Sequence, residues 1–169
     1  MRLATAFVST LALALPVTAQ EATGVSAVTT VAENASTVAE EPVTISEQWA
    51  QNPTQIFDAG DVDLAELQWI ARPVVVFANS PRDPAFVEQL GNIVSEADQL
   101  VERDVIVIVD TDPGNPSGLR ERLRPRGFMM VLIGKDGEVE LRKPLPRTVR
   151  EIGRSIDKMP LRLQELRDG

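Results

Sequence analysis

The stretch RPVVVFANSPRDPAFVEQLGNIVSEADQLVERDVIVIVD, residues 72–110, decides the fold. Val74 to Ala78 is an unbroken apolar run, too short for a helix and closed by a loop, which is the pattern of a strand buried on both faces. After the turn Asn79-Ser80-Pro81-Arg82, Asp83 and Pro84 supply an N-cap and a first-turn proline. Phe86, Leu90, Ile93, Val94, Ala97 and Leu100 then recur at helical spacing, predicting a helix to about Val101. Val105 to Val109 is a run of β-branched residues between Asp104 and Asp110, a second buried strand. Strand, helix and strand of this kind form a right-handed βαβ unit with parallel strands.

Working outward, the C-terminal side continues in short elements. Thr111 to Gly118, rich in Pro and Gly, is a loop; Leu119 to Leu123 is a short helix; Phe128 to Ile133 is a third apolar strand. Lys135-Asp136-Gly137 turns a hairpin into an edge strand on which Val139 and Leu141 alternate with charged residues. Thr148 caps a last helix with Ile152, Ile156 and Met159 facing inward, Pro160 stops it, and Leu161 to Leu166 adds an amphipathic turn or two. On the N-terminal side, Asp61 or Asp63 caps a short helix to Ile70, with Trp69, like Phe77, assigned to the core. The expected architecture is α/β, with a central mixed sheet of about four strands flanked by helices.

The first 56 residues read differently. Met1-Arg2, the apolar run Leu3 to Leu15, Pro16 and the small residues to Ala19 have the form of a signal peptide cleaved near Ala19. The run is shorter than the ~20 apolar residues a membrane span needs. Gln20 to Gln55 lacks helical or strand period, contains Pro42 and Pro53, and is expected to be a disordered acidic linker, placing the folded domain at 57–169. From Gln20 to Ala71 there are nine acids and no Lys or Arg, whereas Arg72 to Gly169 holds sixteen of each sign. A domain of balanced charge lacks the basic footprint of nucleic-acid binding. The expected address is the periplasm or the outside medium.

The order of elements resembles the thioredoxin-like fold, and Arg126-Gly127-Phe128 to Val139 looks like the segment by which thioredoxins enter the third core strand and turn the closing hairpin. In that family the redox cysteines sit at the N-terminus of the helix after the first core strand, where the helix dipole lowers a thiol pKa. Here that place holds Asn79 to Asp83, and the position matching the family's cis-proline is Met129. Over roughly Asp58 to Asp168 the chain is also similar to the P-DUDES family, thioredoxin- and peroxiredoxin-like domains of bacterial exported and animal matrix proteins. The similarity rests on Trp69 with Arg72 and Val74 to Phe77, Glu102-Arg103-Asp104, Leu119-Arg120, Gly134 to Gly137, and Ile156-Asp157 with Met159-Pro160 and Arg162. It implies a fold and an exported address, with no agreed activity.

Elimination narrows the chemistry. The chain has no Cys and no His, which removes thiolate nucleophiles, histidine bases and the usual zinc ligands. Asp110-Thr111-Asp112-Pro113-Gly114 resembles the opening of the calcium-binding motif of nucleoside hydrolases, but Pro116 and Ser117 stand where that motif continues with aspartates, and the chain that follows is far short of such an enzyme; turn chemistry is the simpler account of the string. Ser155-Ile156-Asp157-Lys158 matches the Ser-x-x-Lys spacing of β-lactamases without the companion motifs. Arg120, Arg122, Arg124 and Arg126 form a basic string suited to a phosphate, a sulfated glycan or an acidic segment, against the alternative of solvated, ion-paired charges. Asn79, Ser80, Arg82 and Asp83 lie where open α/β sheets bind ligands, at a strand's carboxyl end and a helix N-terminus.

The leading expectation is therefore a non-catalytic exported binding module without cofactor or metal, whose partner is another exported protein or an anionic ligand. Two alternatives stand beside it: a metal-dependent carboxylate hydrolase using Asp110 and Asp112, and an anion- or glycan-binding protein using Arg120 to Arg126.

Overall fold

The computed structural model describes residues 43–168. The signal peptide and most of the linker lie outside the described residues. Six helices, α1 (Ile45–Gln51), α2 (Pro84–Ser95), α3 (Ala97–Val101), α4 (Gly118–Leu123), α5 (Val149–Ile156) and α6 (Pro160–Asp168), accompany five strands, β1 (Ile56–Asp58), β2 (Arg72–Phe77), β3 (Val105–Asp110), β4 (Met129–Ile133) and β5 (Val139–Lys143). The sheet order is β1-β3-β2-β4-β5. The first three neighbours run parallel, and β4 and β5 are antiparallel. A parallel βαβ unit closed by an antiparallel hairpin is the thioredoxin-like arrangement.

Strand alternation explains the layers. Val74, Val76, Val105, Val107, Met130 and Leu132 face Phe86, Ile93, Ile152 and Ile156 on one side of the sheet. Val75, Phe77, Ile106, Ile108, Val131 and Ile133 face Ile45, Leu67, Leu119 and Leu123 on the other. A sheet covered on both faces needs apolar residues at consecutive positions, which is why β2 and β3 read as unbroken runs.

Four expectations are corrected. Residues 43–56 are not linker: Thr44 and Glu47 form a capping box that opens α1, Ile45 is buried, and Ile56–Asp58 pairs with Val107–Val109, giving five strands rather than four. The short helix before β2 is a 3₁₀ turn, Leu64–Leu67, capped by Asp63. The long helix breaks at Glu96, which leaves helical dihedrals (φ −132°, ψ 32°) while the Ser95 hydroxyl donates back to the Asn92 carbonyl. Pro160 does not end the last helix; it opens α6, where a proline's missing N–H costs nothing.

Candidate functional site

The carboxyl ends of β2 and β3 meet where Phe77 pairs with Asp110, and the Ala78 N–H donates to the Asp110 carbonyl at 2.9 Å. This end is closed by one side chain. Arg120, only 9% exposed, donates from Nε to Asp110 Oδ1 at 2.8 Å and from Nη2 to Asp110 Oδ1 at 2.6 Å, to the Ala78 carbonyl at 2.7 Å and to the Asp110 carbonyl at 2.9 Å. Its guanidinium carbon stands 5.4 Å from the centre of the Phe77 ring. Asp110 Oδ2 accepts from the Ser117 hydroxyl at 2.6 Å, and the Ser117 oxygen in turn caps α4 by accepting from the Arg120 N–H. Both Asp110 oxygens are thus committed inside the protein.

The remaining strand-end residues fall around this clip. Asn79 and Arg82 are exposed, Ser80 accepts from the Arg82 N–H, and Asp83 caps α2 through the Ala85 N–H. Asp112 is exposed on a cleft of about 500 Å³ shared with Asp58, Asp110, Asn115 and Ser117, and its Oδ1 accepts from the Gly114 N–H. A cation reaching Asp110 from this cleft would have to displace Arg120 and Ser117. No cluster of three metal-ligating side chains exists among the described residues.

Arg120 does not join Arg122, Arg124 and Arg126 at the surface, which corrects the expectation of a four-arginine cluster. Residues two apart on a helix point to different sides, so Arg120 turns into the sheet while Arg122 stays in solvent. Arg124 leaves the helix as its left-handed C-cap (φ 48°), and it and Arg126 are exposed. Arg142 of β5 approaches this end, donating to the Leu123 carbonyl at 2.6 Å.

The opposite end of the sheet gathers residues that sequence reading had left scattered. Arg72, 1% exposed, donates from Nη2 to both Glu165 oxygens at 2.8 Å and from Nη1 to the Arg103 carbonyl at 3.0 Å. Lys135 bridges Asp104 at 2.8 Å and Glu165 at 3.1 Å, Arg162 reaches Glu165 at 3.2 Å, and Arg103 pairs with Asp157 at 2.9 Å. Burial pushes the Glu165 carboxyl up, but hydrogen bonds from Arg72, Lys135 and Arg162 outweigh it and bring its pKa down to about 2. Glu165 was invisible in the sequence, where nothing distinguishes it from other acids of an exposed helix. Arg72, heading an otherwise apolar strand, was the signal in the pattern itself, and Arg103-Asp104, Lys135, Asp157 and Arg162 stood among the residues that carry the family resemblance.

Trp69 sits at the rim of this network and corrects its assignment to the core. It is 64% exposed and holds a left-handed backbone (φ 66°), fixed by its N–H donating to the Lys135 carbonyl at 2.7 Å. A bulky residue with positive φ costs about 1–3 kcal/mol. Trp69→Asn relieves that cost and deletes an indole that packs little, so stability is expected to stay within about 0.5 kcal/mol of the parent or to rise. Thermal denaturation checks this, and a large drop in Tm would make the indole a structural element after all.

The chain is similar to *Plasmodium vivax* 2-Cys peroxiredoxin in its reduced form, at 16% identity and TM-score 0.49 over 64% of this chain and 86% of that one. It is similar to *Plasmodium yoelii* thioredoxin peroxidase I at 19% identity and TM-score 0.47 over 63% and 80%. No curated protein matches the sequence. The model of the domain of unknown function DUF4174 matches residues 63–165, which take in β2 through β5, the Arg120–Asp110 clip and the Arg72–Glu165 network. This chain belongs to the DUF4174 family.

Proposed function

We propose that this protein is an exported, non-catalytic binding module of the P-DUDES type, working in the periplasm or outside the cell on another exported protein. The observation that carries the reading is the Arg120–Asp110 clip. At the sheet end at which this fold offers ligand access, the buried carboxylate and the hydroxyl beside it are committed to each other: Asp110 accepts from Arg120 and Ser117, and the Ser117 hydroxyl is itself held by that carboxylate. A buried carboxylate with both oxygens hydrogen-bonded joins two segments of the scaffold and is not free to abstract a proton from a ligand. The absence of Cys from the chain rules out a thiol cycle by its own residues.

The supports for export are the signal-like Met1 to Ala19 and the acidic segment after it. Among the described residues no helix is long and apolar enough to cross a membrane. The balanced charge of the domain supports a protein partner over nucleic acid.

The test incubates the mature chain with hydrogen peroxide and a thiol reductant, with a disulfide substrate, and with an activated ester, with and without calcium or magnesium. Rates equal to buffer are expected in each. Turnover above buffer that disappears on Asp110→Asn or Asp112→Asn would replace the binding module with the carboxylate hydrolase.

A further inference from the structure

Beside the Arg72 network lies a cleft of about 270 Å³ whose walls include Trp69, Asp136, Glu140, Pro160, Leu161 and Gln164. Its volume is below the ~300–1,000 Å³ of sites for drug-sized ligands and suits a single long side chain.

The charges facing it are unequal in availability. Arg72 and Lys135 also line the cleft, but both are buried or nearly so and are held by Glu165 and Asp104. Asp136 and Glu140 have no cationic partner within 4.0 Å among the described residues; the Asp136 carboxylate accepts from the Glu138 N–H, and the Asp136 carbonyl accepts from Gln68 Nε2 at 3.1 Å. Both carboxylates lie beside the same backbone position: a side chain at Gly134 would clash with the Asp136 carboxylate and would meet Glu140 Oε1 at ordinary contact distance, 3.5 Å. The accessible charge is therefore negative, next to an exposed indole face. A cation stacked on an indole and met by carboxylates is stabilised by the ring quadrupole and by the ion pair together. Guanidinium suits this better than ammonium, because it is planar, stacks on aromatic faces and forks onto carboxylates.

The cleft also does not end at Trp69. Pro160 and Gln164 belong to it and to a neighbouring shallow surface on α6 that carries the exposed Leu163 and Leu166, with Arg167 at its far edge, where its Nε donates to the Leu163 carbonyl at 3.1 Å. A charged subsite continued by an apolar strip is a surface for a chain segment, not for a free small cation. The strained backbone of Trp69 holds the indole outward on this rim.

We infer that the cleft between Trp69 and α6 is a receptor for one arginine side chain of a partner protein, the guanidinium lying on the Trp69 indole against Asp136 and Glu140 and the following apolar residues lying on Leu163 and Leu166. This rests on the reading of the protein as a binding module.

The test uses the full mature chain and the peptide acetyl-Gly-Arg-Gly-Leu-amide, with the citrulline peptide as its uncharged isostere. The chain has two tryptophans, Trp49 and Trp69, so an amide correlation spectrum shows two indole N–H signals, and Trp69→Asn removes and thereby assigns one. The arginine peptide is expected to shift the Trp69 indole signal saturably while Trp49 stays still. Affinity should fall about tenfold or more in Glu140→Gln and with the citrulline peptide, and should weaken as salt rises. A Trp69 signal unmoved by the arginine peptide would overturn the inference. So would equal binding of the citrulline peptide or of a neutral disaccharide, or binding unchanged in Glu140→Gln. Failure here leaves the turnover assays untouched, and turnover there leaves this titration interpretable.

Discussion

Arg72→Ala is expected to cost about 3–5 kcal/mol, a large part of the 5–15 kcal/mol that holds a domain of this size together. The side chain is buried to 1% exposure, and its three partners come from two separate parts of the chain: the Arg103 carbonyl and Asp104 before β3, and Glu165 on α6. Its removal leaves the Arg103 carbonyl without that donor, opens a cavity where the guanidinium stem lay, and frees α6, which has no buried residue and is anchored chiefly through Glu165 and Arg162. Tm is expected to fall by roughly 10–25 °C. Arg72→Met paired with Glu165→Leu, which removes both charges and keeps the volume, should regain most of the loss. A cost below about 1 kcal/mol for Arg72→Ala would show that the network behaves like ordinary surface ion pairs.

The same network sets an acid limit. The folded pKa of Glu165, about 2, lies below its ordinary value of 4.5. The stabilisation is therefore complete above about pH 4.5 and is lost as pH falls through 2. Glu165 is a quarter exposed, and solvent screening brings the effect down to about 1–2 kcal/mol. Urea titrations at stepped pH should show that Glu165→Gln starts less stable at neutral pH and loses less than the parent between pH 4.5 and 2. Parallel curves for the two proteins in that window would contradict the sign.

At the other sheet end, Arg120→Ala should be as severe, about 3–5 kcal/mol, because it strands a buried carboxylate and deprives the Ala78 and Asp110 carbonyls of a donor. Its effect should be visible locally as well: amide exchange at Asn79 to Asp83 should accelerate, since Arg120 pins the strand end from which that loop leaves. Asp110→Asn keeps the shape and one acceptor, so it should cost less than Arg120→Ala. The order of the two costs is the informative result. A severe Asp110→Asn beside a mild Arg120→Ala would mean that Asp110 serves something other than the clip. Denaturant midpoints at constant m-value give both numbers.

The two sheet ends also show why the fold was more legible than the site. Continuous β-branched runs such as Val105 to Val109 have one stable home, a strand covered on both faces, and Asp83-Pro84 has one common use. β1 was missed because three residues carry no period, and α1 because its seven residues sit behind an acidic, period-free segment whose only mark is the Thr44–Glu47 box. The Arg120 error has a different origin. Four arginines at alternate positions look like a patch along the sequence, but a helix followed by a left-handed cap sends them in different directions, one of them inward.

The sequence by itself determined what this protein cannot do with its own side chains, thiol or histidine chemistry, and it determined the layered α/β core, because composition and apolar period are local properties. Only the tertiary structure decided which charges matter. Arg72 and Glu165 are 93 residues apart, as are no two residues a periodicity argument can join, and Trp69 could be read as core until the backbone hydrogen bond to Lys135 turned it out to solvent. Charge pairing and exposure are set by which segments the sheet brings together, and that information is carried by the packing of the whole domain, not by any stretch of it.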